Sequence, residues 1–444
     1  MWMTIFLPID EPTWIDVHRV QHQDLRRINM RINDDLAQLI KRTGEHFRWY
    51  ERLLTTTHDE HTTAVERLED LPLLTSTILD DHYYIPDHPF EQRHDLHRYQ
   101  TSGTSRNLRK NIYYSKQDED NYIRIKTDVL NGILNAYPST RALVDMGTGH
   151  AAATAEVIFR RLGLEVETVS FQLPIEQHLD RLASFRPDVL YTMPSILDRI
   201  LIASDDPSTY GICKVILVGE VASLSWQQRV AERLGLEKED ITDTYGSIEI
   251  GTIARYQHDV ERYIVVDGIV AEGLTPVELC IHGFELADDE RVLVLTSTVR
   301  ETFPAIRFVT YDVVRDFRSV IVDGQWRQSF QSIVRRIGSE LKHGEKISIY
   351  DIENVVYSHV QEANIKVLTS NNLLTIQIIT KSEPVDSLVL QVIQHDISHR
   401  IPEIGTMIQN GLLEEIQVTH AIYDDSQHRN TIKLKRIYNS KEVF

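Results

Sequence analysis

The sequence predicts an α/β protein in two parts. A large part with helix-covered sheets runs over residues 1–336, and a small α+β unit over residues 337–444. Three observations carry this. Between Ile123 and Leu234 short apolar runs alternate with amphipathic stretches at βα spacing. After "TYGSIEIGTIA" the pattern changes to strand, turn, strand. After Gly338 a helix, a hairpin, a helix and a strand follow within about 100 residues, a size able to fold alone.

The elements follow in order. Leu25, Ile28, Ile32, Leu36, Leu39 and Ile40 recur at helical spacing, so Pro12 to Leu54 reads as a peripheral helix or helix pair. A short helix is expected from Thr75. "DNYIRIKTDVLNGILNAY" is helical, "RALVDMGTG" is a strand entering a glycine turn, and "HAAATAEVIFRRLGL" is the helix leaving it. "EVETVSF" and "PDVLYTM" are strands separated by the helix "IEQHLDRLASF". "CKVILVGE" is a nearly continuous apolar strand suited to a central, doubly covered position. "YIVVDGIV", "VELCIHG" and "RVLVLTST" read as an antiparallel layer. In the last unit "IYDIENVVYSHV" is a helix, Asn371 and Asn372 turn a hairpin, and "EEIQVTHAI" is a strand.

Composition narrows the partners. The 444 residues carry a formal net charge of −19, which argues against a nucleic-acid binder. The two cysteines, Cys213 and Cys280, cannot build a disulfide framework or a zinc site, and Cys213 reads as a buried thiol at the head of an apolar strand. The opening residues lack the features of a secretory signal, and no apolar run approaches a membrane span, so the expectation is a cytoplasmic protein without membrane contact. His395 and His399 stand one helical turn apart, and His58 and His61 are neighbours. Neither pair has a third ligand nearby, so both read as solvated faces.

One segment asks for a ligand. In "TSGTSRNLRK" the residues Thr101, Ser102, Gly103, Thr104 and Ser105 place hydroxyls and backbone amides around a glycine. Such a turn can cradle phosphate oxygens, with Arg106, Arg109 and Lys110 adding charge. Downstream stand "ILVGEVAS", "DTYGSIEIG", "FPAIRFVTYDVVRDF", "RRIG" and "TIKLKRIYN". From about Leu68 onward this order resembles the adenylate-forming superfamily of acyl-CoA synthetases and ligases, and within it the phenylacetate-CoA ligase-like enzymes.

The resemblance implies ATP and Mg²⁺ as cofactors, and activation of a small carboxylic acid as an acyl-adenylate. It implies transfer to a thiol acceptor, coenzyme A or a carrier protein, with an amine or a protein cysteine as the alternative. A non-catalytic nucleotide- or protein-binding descendant is the alternative of another class. By the same resemblance, Thr101–Ser105 hold the ATP phosphates. Gly219, Glu220, Tyr245, Gly246, Asp312 and Arg336 border adenine and ribose, with Arg335 the alternative to Arg336. Glu249 ligates Mg²⁺, and Lys433 stabilises charge at the α-phosphate. The acid pocket is expected beside Gly147, Gly149 and His150, although His150 also suits packing or turn capping. The small unit is expected to rotate between half-reactions. The chain departs from the family pattern at Arg106 and Leu108, where a glycine and a proline are usual, at Ile248, and at Tyr311, where glycine usually precedes the aspartate.

Overall fold

In the computed structural model of the protein the described residues are 34–57, 67–100, 110–135, 137–146, 150–281, 285–337, 348–370, 372–411, 413–423 and 437–439. A nine-stranded mixed sheet forms the centre. Its strand order is Arg318–Val322, Gln325–Phe330, Arg262–Val265, Gly251–Gln257, Ile241–Ser247, Lys214–Val218, Val189–Thr192, Arg141–Met146 and Glu165–Ser170. The strands from Ile241–Ser247 to Glu165–Ser170 are mutually parallel, as the βα alternation requires. Lys214–Val218 is buried at every residue, so its unbroken apolar run matches an interior strand covered on both faces.

A four-stranded antiparallel sheet, Ile269–Leu274, Glu290–Ser297, Phe308–Arg315 and Ser332–Arg336, packs beside it. The described residues of the expected strand "VELCIHG", Val277 to Ile281, form no strand in this layer. Residues 276–280 form a turn, with Val277 83% exposed and Cys280 at φ 55°. Pro276 lacks an amide hydrogen, and Ile281 N instead bonds Pro276 O across the turn, so no ladder forms. Cys213 also departs from expectation. It is exposed, because it precedes the buried strand at the rim of the sheet.

The last unit has the predicted order. The helix Ile349–Tyr357, the hairpin Asn364–Ser370 with Leu373–Thr380, the helix Ser387–Arg400 and the strand Gln417–Ile422 are all present. A helix Pro402–Gln409 and an edge strand Ile437–Asn439 complete a sheet of four. One apolar cluster runs from Leu143 and Trp226 in the large part to Ile352, Val356 and Ile376 in this unit, so the two parts share a packed seam in this structure. Of the expected N-terminal helix, Asp34–His46 and Arg48–Thr57 lie within the described residues. No helix among the described residues is long and apolar enough to cross a membrane.

Candidate active site

The strand Ile241–Ser247 and the strand Gly251–Gln257 are joined by a tight turn that carries Ile248 and Glu249. Their pairing slips at Tyr245 and Gly246. A Cβ at Gly246 would lie 2.6 Å from the Gly251 carbonyl oxygen, so only glycine fits this bulge. The slip turns Tyr245 toward the antiparallel sheet. Its hydroxyl donates to Asp312 Oδ2 at 2.5 Å, and its ring meets Phe330 edge-on. Burial pushes the Tyr245 phenol well above its ordinary range, and the Asp312 carboxylate adds to this.

Asp312 and Arg336 are register partners on adjacent strands, with Arg336 Nε 3.8 Å from Asp312 Oδ1. This settles which of the two arginines stands by the aspartate. Arg335 is buried and paired with Glu290, while the Arg336 side chain is 66% exposed. The Asp312 charge raises the guanidinium further above its already high value. Tyr311 has φ 63°, in the left-handed region. The backbone keeps a conformation that favours glycine although a tyrosine occupies the position. The tyrosine compensates by taking hydrogen bonds on its hydroxyl from Ser76 N and Ser76 Oγ, both at 3.2 Å.

Glu249 sits half-buried on the turn. Its carboxylate has no hydrogen bond or ion pair among the described residues, whereas its carbonyl accepts from Arg300 Nε at 2.9 Å. Tyr84 shares this neighbourhood. Burial raises its phenol well above the usual range, the Glu249 charge adds to the rise, and Arg336 opposes it. No group of three or more histidine, cysteine, aspartate or glutamate side chains among the described residues suits a metal ion. A single free carboxylate is a hard oxygen donor, of the kind that holds Mg²⁺ jointly with substrate phosphates.

The residues Thr101 to Ser105 lie outside the described residues, as do Gly147, Gly149 and Lys433. The frame around the first of these is described. Strands His97–Gln100 and Asn111–Tyr114 pair antiparallel and bring the two ends of the 101–109 segment together. Lys110 is anchored by Asp80 at 2.5 Å, with its ammonium 4.1 Å from the Tyr84 ring centre. Lys110 is therefore fixed in place beside the start of the strand Asn111–Tyr114.

His150 opens the helix His150–Arg161 and is buried. Its Nε2 lies 2.8 Å from Glu119 Oε2, and its ring packs on Tyr99, Tyr114 and Tyr122. Burial tends to raise the Glu119 carboxyl, but the hydrogen bond and charge of His150, the hydrogen bond from Tyr99 and the charge of His97 together outweigh it and hold the carboxyl below its ordinary value. Gly219 has φ 87° at the end of the buried strand. Glu220 accepts hydrogen bonds from Ser195 N and Ser195 Oγ, capping the helix Pro194–Ala203. The structure therefore brings Tyr245, Gly246, Glu249, Asp312 and Arg336 together. It gives His150 and Glu220 hydrogen-bonded places in the framework.

Sequence reasoning missed Arg300 and Arg307. Arg307, the arginine of "FPAIRF", forks onto Glu272 and donates to the carbonyls of Glu69 and Leu71. It thereby ties the strand bearing Asp312 to the segment that carries Glu69 and Leu71. "FPAIRF" was the available signal, and burial explains the need for a fork of donors there.

Comparison with known proteins agrees with this geometry. A domain family described as the fumarate–diaminopropanoate ligase C-terminal domain matches residues 342–424. The fumarate–(S)-2,3-diaminopropanoate ligase of Enterobacter agglomerans is 37% identical over 386 residues, 87% of this chain and 94% of that protein. A 2-hydroxyisobutyryl-CoA ligase in the postadenylation state, in complex with 2-HIB-AMP, superimposes with a TM-score of 0.71 at 16% identity. That match covers 92% of this chain and 89% of the other. The same enzyme in its thioesterification state, with 2-HIB-AMP and CoA, gives 0.58 at 15% identity over 91% and 88%. Fold and relatives together define the protein as an adenylate-forming ligase. Within that class the chain belongs to the fumarate–diaminopropanoate ligase family.

Proposed function

We propose that the protein uses ATP to activate a small carboxylic acid as an acyl-adenylate and then joins the acyl group to the amine of an amino-acid acceptor. The observation that carries this reading is the 37% identity, over 87% of the chain, to a ligase named for joining fumarate to diaminopropanoate. In the first step a carboxylate oxygen attacks the α-phosphorus and pyrophosphate leaves. In the second the amine nitrogen attacks the acyl carbon, AMP leaves with the bridging oxygen, and the amine proton passes to solvent. The acid is already ionised, so positioning and charge neutralisation matter more than a base.

This chain's residues take their parts accordingly. Asp312 keeps Oδ1 for the ribose hydroxyls while Tyr245 holds Oδ2. Glu249 would hold Mg²⁺, which when bound neutralises phosphate charge. Residues 101–105 would hold the phosphates, and Lys433, carried by a mobile unit over 337–444, would reach the α-phosphate.

ATP–pyrophosphate exchange should appear with one or more short mono- or dicarboxylic acids. Mass spectrometry of reactions given 2,3-diaminopropanoate, other amino acids or coenzyme A should then show an amide and no thioester. A thioester without amide would move the reading to the thiol acceptor. Absence of exchange with every acid would remove the activation step. Lys433→Ala should abolish exchange with little change in melting temperature.

A further inference from the structure

The nine-stranded sheet and the antiparallel sheet beside it end in four edge strands, and three of these are guarded. Glu165–Ser170 carries Glu165 and Glu167, charges that discourage pairing. The backbone of Ile269–Leu274 is capped by a side chain. Gln328 Nε2 donates to the Ala271 carbonyl at 2.6 Å, and Gln328 Oε1 accepts from Ala271 N at 2.9 Å. Beside Ser332–Arg336 lies the helix Ile349–Tyr357, and Ser348 Oγ donates to the Val334 carbonyl at 3.3 Å. The fourth edge, Arg318–Val322, has no such guard among the described residues. Its run Ser319, Val320, Ile321, Val322 holds no charge and no proline, and ends in three β-branched apolar residues.

The adjoining turn decides which groups this edge offers. Asp323 and Gly324 both have positive φ, 50° and 75°, and form the two-residue turn that closes a tight hairpin. Val322 and Gln325 flank it as a hydrogen-bonded pair. The alternation makes Val320 with Arg327, and Arg318 with Ser329, the next such pairs. Ser319 and Ile321 therefore turn their N–H and C=O groups away from the sheet. Ile321 stands opposite Trp326 on one face of the hairpin, and the two residues are 57% and 66% exposed.

We propose that Arg318–Val322 pairs antiparallel with the same strand of a second copy of this chain, about a two-fold axis at Ile321. Outward groups meet only in registers that set odd-numbered residues against odd-numbered ones. Of these, the register centred on Ile321 builds one apolar row of Trp326, Ile321, the partner's Ile321 and the partner's Trp326. It also sets the Ser319 hydroxyl across from the partner's Asp323, a donor facing an acceptor. A register centred on Val320 would set Ile321 against the partner's Ser319 and break the row. Charge selects the same place. Two chains of net charge −19 repel, whereas the stretch from Asp316 to Ser329 balances Asp316 and Asp323 against Arg318 and Arg327. The contact is isologous, so it closes at a dimer.

Sedimentation velocity of the full chain across the micromolar range should show a monomer–dimer equilibrium. Ile321→Lys places two like charges at the axis and should weaken it by at least about tenfold. Because Ile321 is exposed, this variant reads association rather than folding. The register is tested by cross-linking with diamide in a Cys213→Ser, Cys280→Ser background, since both native cysteines are exposed. Ile321→Cys should form an intermolecular disulfide, because only at the axis does a residue meet its own copy within disulfide reach. Val320→Cys should not. A monomer at every concentration, or a dimer indifferent to Ile321→Lys, overturns the proposal. Cross-linking of Val320→Cys as readily as Ile321→Cys overturns the axis at Ile321.

Discussion

Two buried contacts hold this molecule together in different ways. Around Arg300 the contact is polar and directional: five groups, two of them on the strand Asn111–Tyr114, meet one guanidinium. At the seam between the large part and the last unit the contact is mainly apolar. Ile352, Val355, Val356 and Tyr357 pack into the cluster that contains Trp226 and Val230. The seam also carries polar contacts, such as Ser225 Oγ to Asn354 Oδ1 at 2.7 Å and the Arg315–Asp351 fork at 3.0 Å. Hydrogen bonds set distance and angle, whereas apolar burial does not fix orientation. The first contact suits a site that must stay in register. The second suits a surface that can be left and remade, as the proposed rotation of the last unit requires.

Removing the anion from the first contact should produce the largest effect. Asp118→Ala strands Arg300 without its counter-charge and removes one of the two bonds of the capping box on the helix Lys116–Leu134. A loss of about 3–5 kcal/mol is expected from denaturant titration. A loss below about 1 kcal/mol would mean that the clamp is not under strain from its buried charge. Ile352→Ala removes a fully buried side chain from the seam and should cost about 2–4 kcal/mol. A negligible loss there would show that the last unit is not docked through this face in solution.

The two contacts also differ in how far the sequence reveals them. The strand Lys214–Val218 and the hairpin at Asn372 were legible because local pattern and local chemistry agree there. Tyr245, Glu249 and Asp312 were legible through motif order, and the structure sets Tyr245 and Asp312 in contact. Arg300 was not. In "TSTVRETF" it looks like a loop charge, and its acceptor on Tyr113 lies 187 residues away. Only the folded sheet makes it a buried clamp. The left-handed Tyr311 could be noticed as a departure, but its compensation by Ser76, 235 residues distant, could not. Cys213 was misplaced because one residue separates the rim of a strand from its buried interior.

Acid should strain the surroundings of His88 in a measurable way. His88 is buried against Tyr83, Phe90 and Tyr113, and its Nδ1 accepts from Phe90 N at 3.1 Å. Burial lowers its pKa from 6.5 to about 4. The unfolded chain therefore takes up a proton between these values that the folded chain refuses. The stability contributed is complete above about pH 6.5 and is lost as pH falls toward 4. From pH 7 to pH 5 the His88-dependent loss should be about 2 kcal/mol. Urea titrations of the wild type and His88→Phe at both values isolate it. An identical acid response in the two proteins would assign the loss to other groups.

The smallest effect should come from the rim of the seam. Arg233 Nη1 lies 3.5 Å from Glu362 Oε1 across the two parts, and the Glu362 side chain is 78% exposed. A cleft of about 810 Å³ opens beside this pair, so water reaches both charges. Arg233 also donates to the Leu201 carbonyl at 3.1 Å, which fixes it without Glu362. Glu362→Gln should therefore cost less than about 0.5 kcal/mol and show little salt dependence. A loss above about 1.5 kcal/mol, suppressed by salt, would show that the seam is held electrostatically at its margin. The contrast drawn with the Arg300 clamp would then fail, because both contacts would depend on a directional charge pair.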